Sequence, residues 1–110
     1  MAKLFVVRHA DAGHRSEWDG PDQERPLSTR GWRQAQGLSA SIGEDRPQRL
    51  LASPYTRCVQ TLEPLADQLG LAVEPDPRLA EGAGASGALE LADELAATPA
   101  VLCSHGDVIP

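Results

Sequence analysis

Three short apolar runs, each broken off by a cation or a histidine, constrain this chain more than anything else in it. Lys3-Leu4-Phe5-Val6-Val7 ends at Arg8-His9. Leu50-Leu51-Ala52 runs into Ser53-Pro54-Tyr55-Thr56-Arg57, and Ala100-Val101-Leu102-Cys103 runs into Ser104-His105-Gly106. The first run is β-branched and continuous, so it reads as a short buried strand. A charged pair at the carboxyl end of such a strand is poorly placed for packing. It is well placed for chemistry, because open α/β sheets bind ligands beyond the carboxyl ends of their strands. If the three strands are parallel neighbours, Arg8, His9, Arg57 and His105 share one pocket.

The rest of the chain supplies the layers such a sheet needs. Ser28 is an N-cap signal, and Trp32, Ala35, Leu38 and Ile42 follow at helical spacing, which predicts a helix over 29–42. A strand is expected over 49–53. A second helix is expected over 56–69, with Val59, Leu62, Ala66 and Leu69 on one face, a kink or interruption at Pro64, and Gly70 as its stop. Leu71-Ala72-Val73-Glu74 reads as a third strand, 78–87 as loop, and 87–97 as a third helix capped by Ser86, with Leu91, Ala92 and Leu95 inward. The fourth strand is expected over 100–104. Strands alternating with helices predict a single α/β domain over 1–110, a three-layer α/β/α arrangement with a mostly parallel sheet. A doubly wound domain calls for another helix after Val108-Ile109-Pro110, so the domain reads as truncated at its C-terminus. The polar stretch from Asp11 to Pro26 is long for a connection and reads as a functional loop.

Composition removes several classes of function. The chain has 110 residues and a net charge of -6, whereas a duplex nucleic-acid binder normally shows a basic face, so that class is demoted. No apolar run has the length of a membrane span, and Met1-Ala2-Lys3 leads directly into a strand with no signal peptide. The two cysteines, Cys58 and Cys103, have neither metal-clip nor disulfide spacing and read as small buried apolar residues. Cys103-x-His105 supplies only two zinc ligands, which is not a metal site. The expected compartment is the cytoplasm.

Taken together, Arg8-His9, Ser53-Pro54-x-x-Arg57-x-x-Gln60-Thr61 and Ser104-His105-Gly106 resemble the signature of the histidine phosphatase superfamily, the phosphoglycerate mutase-like fold. The resemblance runs from residue 3 to residue 110 and implies a domain that lacks the family's last helix and strand. It implies a metal-independent, cofactor-free phosphatase in which His9 becomes phosphorylated and is then hydrolysed. A neutral imidazole is the competent nucleophile, and Arg8 and Arg57 are expected to keep His9 neutral. The other His9 ring nitrogen is expected to donate to a backbone carbonyl. Arg8 and Arg57 offer planar donor forks that match phosphate oxygens, and His105 is a third donor. The resemblance also implies an acidic general acid in the loop after the third strand, where Glu81 lies. A nearby phosphate should raise its pKa, and Asp11 is the backup donor. Gln60 and Thr61 belong to the motif but read as structural. Arg15 and Arg25 are candidates for a second phosphate, Trp18 for stacking on a base, and Ser53 for contact with the phosphate or the first histidine.

Departures narrow the choice within the family. Ala10-Asp11-Ala12-Gly13 replaces the glycine and Glu-x-x-x-Asn pattern of the sugar-phosphate mutases, which argues against mutase activity. Arg8-His9-Ala10 resembles the small phosphohistidine phosphatases of the SixA type. Glu24-Arg25-Pro26-Leu27-Ser28-x-x-Gly31, Cys58-x-Gln60-Thr61-x-Glu63-Pro64-Leu65-Ala66 and Cys103-x-x-Gly106-x-Val108-Ile109-Pro110 resemble the C-terminal histidine-phosphatase domain of actinobacterial MutT-type Nudix proteins. The leading expectation is hydrolysis of small phosphate esters or nucleotides. The alternatives are a protein phosphohistidine substrate and a non-catalytic phosphate-binding module. An exposed final strand makes a homodimer a further expectation.

Overall fold

The computed structural model describes residues 3–106. It contains four strands and three helices, joined by short 3-10 turns. In chain order they are β1 (Leu4–Arg8), α1 (Thr29–Ile42), β2 (Arg49–Ala52), α2 (Thr56–Leu69), β3 (Val73–Pro75), α3 (Ala85–Glu94) and β4 (Ala100–Ser104). The sheet order is β1-β4-β2-β3, and every pairing is parallel. The chain therefore steps outward from β1 to β3 and then returns to place β4 between β1 and β2.

Alternation along the strands divides the interior into two cores. Leu50, Ala52, Val101 and Cys103 face one side, where they meet Ile42 of α1 and Cys58, Leu62, Leu65 and Ala66 of α2. Leu51, Ala100 and Leu102 face the other side, against Leu79 and against Ala88, Leu91 and Leu95 at and just beyond α3. Period-two alternation on a sheet covered on both faces produces this split. The helices change face where the chain reverses direction, as right-handed crossovers require.

Several elements depart from their expected form. β1 is not fully buried: among the described residues it pairs only with β4, and Val6 is 40% exposed. α2 is not interrupted, because it runs through Pro64 while Leu62 and Leu65 on the same helix are buried. The packing of that face offsets the hydrogen bond that proline removes. β3 starts at Val73 rather than Leu71, because Val73, Glu74 and Pro75 are the residues in register with Leu50, Leu51 and Ala52. Residues 78–87 are not all loop. A 3-10 turn covers Pro77–Leu79, and α3 begins at Ala85. Gly84, at φ 78°, turns the chain into α3, so Ser86 lies inside the helix and is not its cap. The helix ends at Glu94, three residues early, where turns such as Thr98 N–H to the Leu95 carbonyl take over. The segment Val108-Ile109-Pro110, on which the expected C-terminal extension rests, lies outside the described residues.

Candidate active site

Strand register builds the site. Arg8 is level with Ser104, and Ala52 is level with Cys103. The ladder continues one residue further on each side: His9 N–H donates to the Ser104 carbonyl at 3.0 Å, and Ser53 N–H to the Cys103 carbonyl at 2.9 Å. His9 and His105 therefore leave adjacent strands side by side, with ring centroids 5.4 Å apart and the planes at 67°. Arg57 arrives from the first turn of α2, which follows β2 directly.

These side chains open onto a cleft of about 950 Å³ lined by Arg8, His9, Arg57, Glu81, His105 and Gly106, and also by Asp11, Arg15, Arg25, Arg30 and Gln34. Its size suits a small phosphorylated molecule. Its position at the carboxyl ends of β1, β4 and β2 is the one an open α/β sheet reserves for ligands.

The His9 Nδ1 lies 2.8 Å from the Ala10 carbonyl oxygen and donates to it. That bond fixes the tautomer and leaves Nε2 as the lone-pair nitrogen. Arg57 Nε approaches this Nε2 at 3.4 Å. The His9 pKa lies below its ordinary 6.5, first because the ring is desolvated by burial, with Arg57 and His105 lowering it further. Arg57 thus helps to keep His9 neutral, as expected, while burial is the larger cause and Arg8 is not among the causes. Thr61 holds this corner. Its hydroxyl accepts from Ala10 N–H at 3.0 Å and donates to the Arg57 carbonyl at 2.6 Å. Gln60 is equally structural, accepting from Leu27 N–H through Oε1.

Arg57 is 2% exposed, so it is not a surface residue. Its Nη1 donates to the Asp22 carbonyl at 2.8 Å. Its Nη2 donates to the Asp22 carboxylate at 3.2 Å and to Glu81 Oε2 at 2.9 Å. The guanidinium also lies 4.9 Å from the centre of the Tyr55 ring. Glu81 reaches the site because Ser104 Oγ donates to the Leu79 carbonyl and anchors the turn before it. Glu81 Oε2 is also 4.0 Å from His105 Nδ1.

His105 is buried against the Tyr55 ring edge, 4.8 Å between centroids, and its Nε2 lies 2.9 Å from Ser53 Oγ. In the tautomer in which Nε2 accepts from the Ser53 hydroxyl, His105 carries its proton on Nδ1. Ser53 is thus fully buried beneath His105, away from the cleft and from His9. Trp18 also stays out of the cleft. Its indole N–H donates to the Pro21 carbonyl at 3.0 Å, and the ring lines a separate hollow with His14, Glu17 and Leu27.

Arg15 and Arg25 line the cleft but share the Asp22 carboxylate, and Arg15 Nη2 also lies 3.7 Å from Glu81 Oε1. Arg15 Nε lies 3.2 Å from Asp22 Oδ1, and Arg25 Nε lies 3.1 Å from the same atom. Arg25 also donates to the carbonyls of Ala12 and Gly13. Asp11 accepts from the Ser28 hydroxyl, which lowers its pKa. That direction is opposite to what the backup proton donor needs. The cysteines are fully buried, as expected, with Cys58 Sγ 3.5 Å from His105 Nε2. Among the described residues, no group of three or more His, Cys, Asp and Glu side chains is arranged to hold a metal ion. No helix among them is long and apolar enough to cross a membrane.

Two residues of the site escape a sequence reading. Asp22 sits in a polar loop among other acids, and only its contacts with Arg15, Arg25 and Arg57 distinguish it. Tyr55 lies inside the second motif, and a lone aromatic between a strand and an arginine was the available signal.

The model of the histidine phosphatase superfamily (branch 1) matches residues 4–100, and the chain belongs to that family. The 8-oxo-(d)GTP phosphatase of Mycolicibacterium smegmatis is 40% identical over 112 residues, covering 97% of this chain and 35% of that protein. The chain thus spans about a third of the length of that relative. The structure of the protein histidine phosphatase SixA complexed with tungstate superposes with a TM-score of 0.77 at 27% identity, covering 96% of this chain and 70% of that one. A candidate phosphohistidine phosphatase SixA from Agrobacterium tumefaciens gives 0.83 at 21% identity over 96% and 70% of the two chains. At that identity the likeness speaks for the fold alone.

Proposed function

We propose that the protein is a phosphatase that works through a phosphohistidine on His9 and acts on nucleotides or other small phosphate esters. The observation that carries this reading is the state of His9, with Nδ1 tied to the Ala10 carbonyl and Nε2 unprotonated. That nitrogen faces a cleft that also holds Arg8, Arg57 and His105.

The Nε2 lone pair attacks phosphorus in line, the N–P bond forms, and the bond to the leaving oxygen breaks. Arg8, Arg57 and the His105 Nδ1–H bind the three equatorial oxygens, where charge is carried through the transition state. A phosphoryl group must compete with Glu81 for Arg57. Glu81, released from Arg57 beside the charged phosphate, takes up a proton from solvent, gives it to the leaving oxygen, and later recovers one from the hydrolytic water. Water then breaks the N–P bond, releasing inorganic phosphate and neutral His9. Asp22 holds Arg57 in place and does not itself meet the reacting atoms.

A nucleotide substrate is supported by the 40% identity to the mycobacterial 8-oxo-(d)GTP phosphatase and by the motifs resembling the domain of MutT-type Nudix proteins. A protein phosphohistidine is the second reading, supported by the likeness to SixA. The test is phosphate release, in excess chelator, from an aryl phosphate, nucleoside mono- and diphosphates and a phosphohistidine peptide. Expected are turnover lost in His9→Ala and an acid-labile, base-stable label on the wild type from radioactive substrate. A folded wild type that neither turns over nor takes the label would sink the proposal.

A further inference from the structure

Five arginines line the cleft, and the structure sorts them. Arg57 is saturated by Asp22 and Glu81. Arg15 already pairs with Asp22 and Glu81, and Arg25 pairs with Asp22 and donates to the Ala12 and Gly13 carbonyls, so both hold acceptors within the protein. Arg8 stands beside His9 and is taken by the transferring group. The side chain of Arg30, in the first turn of α1, makes no ion pair or hydrogen bond among the described residues, although its charge helps to lower the pKa of the nearby Asp11. Four residues on, and so on the same helix face, Gln34 also lines the cleft. Its Oε1 accepts from Asp11 N–H at 2.8 Å, which turns the amide so that its NH₂ group points away from Asp11 with no partner among the described residues.

We propose that Arg30, with the Gln34 NH₂ group, is a receptor for a second anion, and that it selects substrates whose leaving group carries its own phosphate or carboxylate. The inference rests on the phosphatase reading of the cleft. An exposed cation lining the same cleft as the nucleophile suits a substrate whose departing half is also charged. A simple ester would leave Arg30 and Gln34 facing water. This lining is also held still. The Ser28 hydroxyl accepts from Gly31 N–H at the start of α1 and binds Asp11, so the α1 face keeps its place relative to His9.

The test uses the full chain and two readouts. The first is equilibrium binding of inorganic phosphate and inorganic pyrophosphate, which requires no turnover. Wild type should bind pyrophosphate about tenfold more tightly, as one added charge-assisted contact would give. Arg30→Ala should close that gap, and Arg30→Lys should keep part of it. The second readout is kcat/KM for an aryl phosphate, a nucleoside diphosphate and a carboxylate-bearing phosphate ester. Arg30→Ala should raise KM for the charged leaving groups several-fold more than for the aryl ester, and the larger loss names the second group. A wild type without the gap overturns the inference, as does a gap that survives in Arg30→Ala or an equal loss on all three substrates. If nothing is turned over but the gap is present and depends on Arg30, the phosphatase reading fails and the anion receptor stands.

Discussion

Arg57 Nε stands 3.4 Å from His9 Nε2, and Arg57 is a permanent donor. A protonated Nε2 would place two donors face to face, so the geometry itself selects the nucleophilic form of His9. Arg57→Lys keeps the charge and removes the fork that reaches His9, Asp22 and Glu81 together. Phosphatase kcat should fall by about a hundredfold or more, with a smaller change in KM. Steady-state kinetics would check this, and a lysine enzyme within threefold of wild type would contradict it.

The pH profile follows from the lowered His9 pKa. The group is active when neutral, and its pKa lies below 6.5, so kcat/KM should hold as pH falls to that value and drop only beneath it. The cause is chiefly burial, so raising salt should move this limb little. An acid limb above 6.5 would show that His9 is not desolvated as the structure has it.

Ser53→Ala removes the hydroxyl that reaches His105 Nε2. The fold should lose about 1 kcal/mol, and His105 should lose its preference for carrying the proton on Nδ1. Nitrogen NMR of the imidazole reads the tautomer directly. A wild-type tautomer pattern in the variant would show that Ser53 does not set it.

Gly31→Ala tests how the first turn of α1 meets the loop after His9. An added Cβ would sit 1.9 Å from the Asp11 carbonyl oxygen. Backbone must move, and the cost should be about 1–3 kcal/mol or more, seen as a fall in Tm. Gly37→Ala, on the same helix with nothing within 4 Å, should instead raise stability by up to about 1 kcal/mol. Equal effects of the two would remove the close approach as a constraint.

The parts of the fold that were legible are those where a periodic pattern and a bounding signal coincide. Ser28, Leu38 and Ile42 mark α1, whose bounds are the expected ones, and β4 lies where its apolar run lies. β3 and α3 were displaced because their limits are set by pairing with β2 and by Gly84, neither of which leaves a mark in hydrophobic periodicity. Arg8, His9, Arg57 and His105 are brought together because each follows a strand end, and parallel register does the rest. Glu81 reaches Arg57, whereas Trp18 does not reach the cleft. Asp22 was not legible because its role lies wholly in the three arginines it meets, which are separated from it by as many as 35 residues.

The placement of β4 sets an order of assembly. Arg8-His9 and Arg57 are made early, but the strand that fills the space between their own strands is the last of the four. Arg8-His9 on β1 and Arg57 after β2 are tied to one another in the sheet through β4, which pairs with both strands. A cut within α3 is therefore expected to uncouple the two halves of the site while leaving His9 itself intact.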